Sequence, residues 1–213
     1  MKKDLTELVF ILDRSGSMFG LEKDTIGGYN SLIEKQKKEQ GEALVTTVLF
    51  DDEVDIIHDG IKLEDVPLLT EKEYYVDGCT ALLDAIGKTI SKILKNRKET
   101  PESEHPEKTL IVITTDGMEN ASREYSYSKI KALIQQQEKE GWNFIFLGAN
   151  IDAAKEASRM GIMAENAVSY HCDSAGIEVN YDCLCEAISS VRSERKLPRA
   201  WRAKIDKDYK NRK

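Results

Sequence analysis

No stretch of this 213-residue sequence approaches the roughly 20 consecutive apolar residues that a bilayer-spanning helix needs. The start, Met1 to Asp4, runs into an apolar segment without the pattern of a signal peptide, so a cytoplasmic protein with no membrane partner is expected. Cysteine is scarce as well. Cys79, Cys172, Cys183 and Cys185 are too few and too unevenly spaced for a disulfide framework, and free thiols are expected. Also missing are the glycine-rich phosphate loops of the GxxxxGKS/T or GxGxxG type, any internal repeat and any low-complexity segment.

What remains is the composition of one ordinary globular unit. With 40% hydrophobic and 32% charged residues, the chain can bury one full-sized core, and a single domain is expected over residues 1–195. Residues 196–213 carry eight basic side chains against two acidic ones. This tail of net +6 leaves −13 on the other 195 residues when the whole chain carries −7. An acidic body argues against nucleic acid as its partner. Short charged termini are usually solvated, which is the expectation for the tail, with contact to an anionic surface or folding back onto the body as alternatives.

Strand and helix signals alternate along the body. Apolar or β-branched runs at 8–12, 43–50, 54–58, 109–114, 142–147 and 168–170 predict six strands. Residues 51–53, Asp-Asp-Glu, separate the second and third, which implies a hairpin and one antiparallel edge strand. Apolar residues at helical spacing predict helices over 21–40, from about 80 to 96, over 127–140, 153–160 and from 173 or 174 to about 191. The pair Gly27-Gly28 inside the first helix costs helix propensity and implies close packing against a neighbour. Strands alternating with helices predict an α/β fold: a doubly wound, mainly parallel six-stranded sheet with helices on both faces, whose ligands bind beyond the carboxyl ends of the strands.

The first strand ends there in Asp13-Arg14-Ser15-Gly16-Ser17. Alternation lets one turning loop aim the oxygens of Asp13, Ser15 and Ser17 at a single point, with Gly16 supplying backbone freedom. Carboxylate and hydroxyl oxygens without histidine or cysteine favour magnesium, manganese or calcium over zinc or copper. A second buried strand, 109–114, ends in a similar polar cluster, Thr115-Asp116-Gly117.

The DxSxS form of residues 13–17, Thr80 opening a helix after Asp77-Gly78, and Thr115-Asp116-Gly117 after a buried strand together resemble the von Willebrand factor type A (vWA) domain, over roughly residues 5–193. The resemblance implies a Rossmann-like fold and a metal-ion-dependent adhesion site (MIDAS) made by Asp13, Ser15, Ser17, Thr80 and Asp116. In the family an open coordination position on the cation, most often Mg2+, takes a carboxylate from a partner protein. Mn2+ or Ca2+ would suit the same oxygens. Cys79 departs from the family, which more often has a small residue such as glycine or serine before the threonine.

Each of these residues also has a plain structural reading. Asp13 and Asp116 can simply end strands, Ser15 and Ser17 can cap the first helix, and Thr80 can cap the helix it precedes. The acids at 51–55 read as a solvated turn. His171 and Cys172, adjacent in an extended segment, point to opposite faces and make no catalytic dyad, and Cys183 and Cys185 read as packing residues.

Three functions remain in view. A metal-dependent protein-interaction module binds an Asp or Glu carboxylate of its partner through the cation. A magnesium-dependent phosphatase would use Asp13 as nucleophile, but the hydroxyl of Ser15, two residues on, is a poor general acid. An adaptor would use the surface or the tail and leave the site idle. The first, a non-enzyme, is expected; nothing in the residues specifies an oligomeric state.

Overall fold

The computed structural model describes residues 1–194 and 196–212. Its apolar runs form the strands β1 (Lys2–Asp13), β2 (Ala43–Phe50), β3 (Val54–Lys62), β4 (Pro106–Thr115), β5 (Asn143–Ala149) and β6 (Ala167–Tyr170). Its periodic segments form the helices α1 (Glu22–Gln36), α2 (Leu82–Glu99), α3 (Tyr127–Lys139), α4 (Ala153–Met160) and α5 (Ser174–Glu194), followed by α6 (Ala203–Asn211). The described residues thus make one six-stranded sheet of order β3-β2-β1-β4-β5-β6, parallel throughout except for β3, which runs antiparallel to β2 at the edge.

Side chains alternate across this sheet, and each face is sealed by its own helices. From β1, Leu8, Phe10 and Leu12 pack with Tyr29, Leu32 and Ile33 of α1 and Leu184 and Ile188 of α5. Val9 and Ile11 point the other way, into a layer with Ile86 and Ile90 of α2, Ile130 and Ile134 of α3 and Met160 of α4. Glycines let two of these contacts close. A methyl group on Gly28 of α1 would enter the ring of Tyr181 on α5, and one on Gly87 of α2 would enter the ring of Tyr125. Gly27, by contrast, faces open space, so only the second glycine of the pair is needed for packing.

The chain order reverses between β1 and β4, the point at which a doubly wound sheet opens a crevice at its carboxyl edge. Register matters here: Leu12 of β1 pairs with Thr114 of β4, so Asp13 and Thr115 emerge side by side, with Asp116 one residue beyond.

The tail departs from the solvated extension expected of it. Trp201 and Ile205 are buried in the core layer of α1 and α5, and α6 lies against β6 and α5. Trp201 Nε1 donates to Glu165 O at 3.1 Å, and Arg212 pairs with Asp173 at 2.6 Å. The proposed boundary after residue 195 falls on Arg195, which lies outside the described residues, as does Lys213. Among the described residues no helix is long and apolar enough to cross a membrane.

Candidate functional site

Asp13, the last residue of β1, has both carboxylate oxygens engaged. The backbone N–H of Ser15 donates to Oδ1 at 2.7 Å and the hydroxyl of Thr115 to Oδ2 at 2.6 Å. The hydroxyl of Tyr74 donates to the main-chain oxygen of Asp13 at 2.5 Å. The loop that follows is tied down on its far side by Arg14, whose buried guanidinium donates to Asp51 at 2.7 Å and Asp55 at 2.6 Å and lies over the ring of Tyr75. Main-chain bonds from Asp77 N to Arg14 O and from Gly16 N to Gly78 O, 3.0 and 3.1 Å, fix the segment leading to Thr80. Three stretches distant in sequence, 13–17, 51–55 and 73–80, are therefore locked into one surface.

On that surface the five oxygen-bearing side chains singled out by sequence come together. The Thr80 hydroxyl donates to Ser15 Oγ at 3.1 Å, Ser15 and Ser17 share a hydrogen bond of 3.2 Å, and Ser17 donates to Asp116 Oδ1 at 2.5 Å. Gly117 closes the ring from the side. A side chain there would begin 3.2 Å from Thr80 Oγ1 and 3.4 Å from Ser17 Oγ, so glycine keeps the space between the loops open.

The capping alternatives do not hold. α2 begins at Leu82, and its first amides are met by the loop after β4: Leu83 N donates to Glu119 and Asp84 N to Ser122, at 2.9 and 3.0 Å. Thr80 caps nothing; its own N–H donates to Asn120 Oδ1. Ser15 makes no side-chain cap to the single 3-10 turn at 16–18, and α1 starts after Leu21 without a side-chain cap. The three hydroxyls are thus left to one another and to Asp116.

The electrostatics of the cluster are unbalanced. Among the described residues no Lys, Arg or His bonds to Asp13 or Asp116, since the neighbouring Arg14 is spent on Asp51 and Asp55. Burial pushes the Asp13 carboxyl up to about 6, against the lowering effect of the bonds from Ser15 and Thr115, and the nearby Asp116 adds to the rise. Two nearby carboxylates with no basic side chain bonded to either give the site a negative charge that a cation would offset. Among the described residues no group of three or more His, Cys, Asp or Glu converges, so hydroxyls must make up the rest of any donor set.

Other candidates separate cleanly. Asp51, expected in a solvated turn, is instead buried against Arg14, because the loop after β1 needs a counter-charge there; Asp52 and Glu53 stay exposed. His171 and Cys172 point apart. His171 stacks on Tyr209 of α6, while the thiol of Cys172 reaches Asp116 Oδ2 at 3.5 Å, with its pKa pushed up to about 12 by burial and by that carboxylate. All four cysteines are free, Cys79 exposed and Cys183 buried in the core. Sequence reasoning missed Arg14, Thr115, Tyr74 and Asn120 as positioning residues, although Arg14 and Thr115 stood inside recognised motifs.

No family model matches the chain, and no curated protein matches it. Solved structures do. Proximal thread matrix protein 1 from the mussel byssus is 13% identical over 87% of this chain and 46% of its own, at a TM-score of 0.61. The fold is that of a von Willebrand factor type A domain. A second structure of the mussel protein, with a zinc-occupied MIDAS motif, is 14% identical over 86% of this chain and 46% of its own, at a TM-score of 0.59. The manganese-loaded TRAP protein of Plasmodium vivax is 16% identical over 84% of this chain and 73% of its own, at 0.56. The vWF domain of the type V pili tip protein Mfa5 of Porphyromonas gingivalis is 11% identical over 91% of this chain and 98% of its own, at 0.62. This chain spans about half the length of the mussel protein.

Proposed function

We propose that the chain is a metal-dependent protein-interaction module in which Asp13, Ser15, Ser17, Thr80 and Asp116 hold a divalent cation, Mg2+ first, and a partner's Asp or Glu supplies a further oxygen. The observation that carries this reading is the unbroken contact from Thr80 through Ser15 and Ser17 to Asp116. The hydroxyl spacings of 3.1 and 3.2 Å are those of oxygens that share one hard cation, and Mn2+ or Ca2+ remain alternatives to Mg2+. Zinc and manganese at the mussel and Plasmodium proteins lend support to a divalent cation here. With at most two carboxylate charges among its donors, such a cation would draw in one more carboxylate oxygen.

The chain's own part is to hold the loops and keep the hydroxyls unspent, and the reading makes it a binding protein rather than an enzyme. Among the described residues the groups bonded to the Asp13 carboxylate are the hydroxyl of Thr115 and the amide of Ser15, neither suited to donate a proton near neutral pH. A cytoplasmic setting belongs to the same proposal, is supported by the four free thiols, and is open to cell fractionation.

Millimolar magnesium or manganese should raise Tm by binding the folded state, and Asp13→Ala or Ser17→Ala should abolish the rise. An unchanged melting curve in metal, or robust turnover of generic phosphate esters lost in Asp13→Ala, would sink the reading.

A further inference from the structure

Of the eight buried side-chain nitrogen and oxygen atoms that lack a hydrogen-bond partner among the described residues, four line a single cavity between α1, β6 and α5. They are Tyr170 Oη at the end of β6, Asn180 Oδ1 and Tyr181 Oη on α5, and Thr25 Oγ1 on α1. None of these four side chains is more than 9% exposed. A buried polar atom left unbonded is expensive and native proteins keep few of them, so four around one space require a common partner. About 10 Å3 of the cavity is open to a water-sized sphere. That is close to the room one water molecule needs and too little for an organic ligand. The cavity lies behind the oxygen cluster: Met18 in its wall directly follows Ser17, and Tyr170 stands two residues before Cys172, whose thiol reaches Asp116.

The unpartnered atoms themselves select the occupant. Burial pushes the pKa of both phenols up, so Tyr170 and Tyr181 keep their protons and need acceptors. Asn180 Oδ1 can only accept, and so needs a donor. A metal cation would satisfy the oxygens but give the two phenol protons nothing to bond, and no carboxylate lines the cavity to balance its charge. Water has two protons to give and two lone pairs to receive, the number that these four atoms ask for. We infer that the cavity is a built site for one buried water molecule, which accepts from Tyr170 and Tyr181 and donates to Asn180 Oδ1 and Thr25 Oγ1. Held in this way, the water joins α1, β6 and α5 through side chains that make no direct bond to one another. The site stands independently of the cation reading.

A crystal structure of the full chain tests the occupant directly: density for one atom within about 2.7–3.2 Å of Tyr170 Oη, Tyr181 Oη and Asn180 Oδ1 is expected. In solution, Tyr170→Phe and Tyr181→Phe should each lower Tm by roughly 2–4 °C, since each takes one bond from the water. Together they should lower it by less than the sum of the two, because both bonds go to the same molecule. Oxygen-17 magnetic relaxation dispersion should count one long-lived water fewer in that double variant than in the natural protein. A higher Tm in both single variants would show that the hydroxyls have no partner to lose and would overturn the inference. An unchanged count of long-lived waters in the double variant would do the same. So would density that joins the two tyrosine hydroxyls directly with nothing between them. An anomalous signal at the site in a crystal grown in rubidium chloride would make the occupant a cation and overturn it as well.

Discussion

Asp13 shows how the centre of the cluster trades stability for charge. Its folded value of about 6 lies above the ordinary 3.8, so the folded protein holds this proton more tightly than the unfolded chain. The group therefore costs stability above pH 6, and the cost is relieved as pH falls toward 4. A shift of this size has an upper bound of about 3 kcal/mol. Asp13→Asn keeps the shape and removes the buried charge. It should raise Tm of the metal-free protein at pH 8 by several degrees, at roughly 2–4 °C per kcal/mol for a chain of this size, with the gain fading by pH 4 and no response to metal. Calorimetry at the two pH values checks this; a lower Tm at pH 8 would mean that the bonds from Ser15 and Thr115 to the ionised carboxylate outweigh its desolvation. Metal affinity of the natural protein should in turn fall about tenfold per pH unit below 6, because a protonated Asp13 must first release its proton. The five oxygen-bearing side chains of the cluster were legible because each stands at a strand end or beside a turn with its own local signal. Arg14 and Asp51 were not: a run of acids looks solvated until the chain brings in a guanidinium from 37 residues away.

Helices and strands followed local pattern closely, and their exceptions come from neighbours. The strand expected at 54–58 continues to Lys62, since Leu44 of β2 offers it a partner there across an irregular register. The helix expected over 21–40 stops at Gln36, where the buried guanidinium of Arg192, from α5, meets the oxygens of Gln36, Gln40 and Gly41. A cation is favourable at a helix carboxyl end. Gly27 and Gly28, identical in sequence terms, should answer substitution with opposite signs. Gly27→Ala faces open space and should stabilise by about 0.5–1 kcal/mol through helix propensity. Gly28→Ala drives a methyl into the Tyr181 ring and should destabilise by about 1–3 kcal/mol despite the same gain. Urea titration of the two single variants tests the pair, and equal shifts would show that α1 and α5 can separate freely.

Taken whole, the molecule ends in a helix that composition hid. Eight basic residues in the last 18 dominate any reading of that segment, and only Trp201 and Ile205 betray that it has a face to bury. Trp201→Ala should cost about 3 kcal/mol or more, as for a large aromatic lost from a core, measured as a lower denaturation midpoint at unchanged slope. A solvated tail would show no change. Sheet order has a further consequence, for the ribosome. Because β1 lies between β2 and β4, the central strand waits for a partner made about a hundred residues later, and Asp116 follows that partner. A nascent chain that has exposed only its first hundred residues carries Asp13, both serines and Thr80 but lacks the second carboxylate and the strand that aligns it. On the proposed reading, such a chain would gain its cation site only when the fourth strand docks, and an incomplete product would not compete for the partner of the finished one.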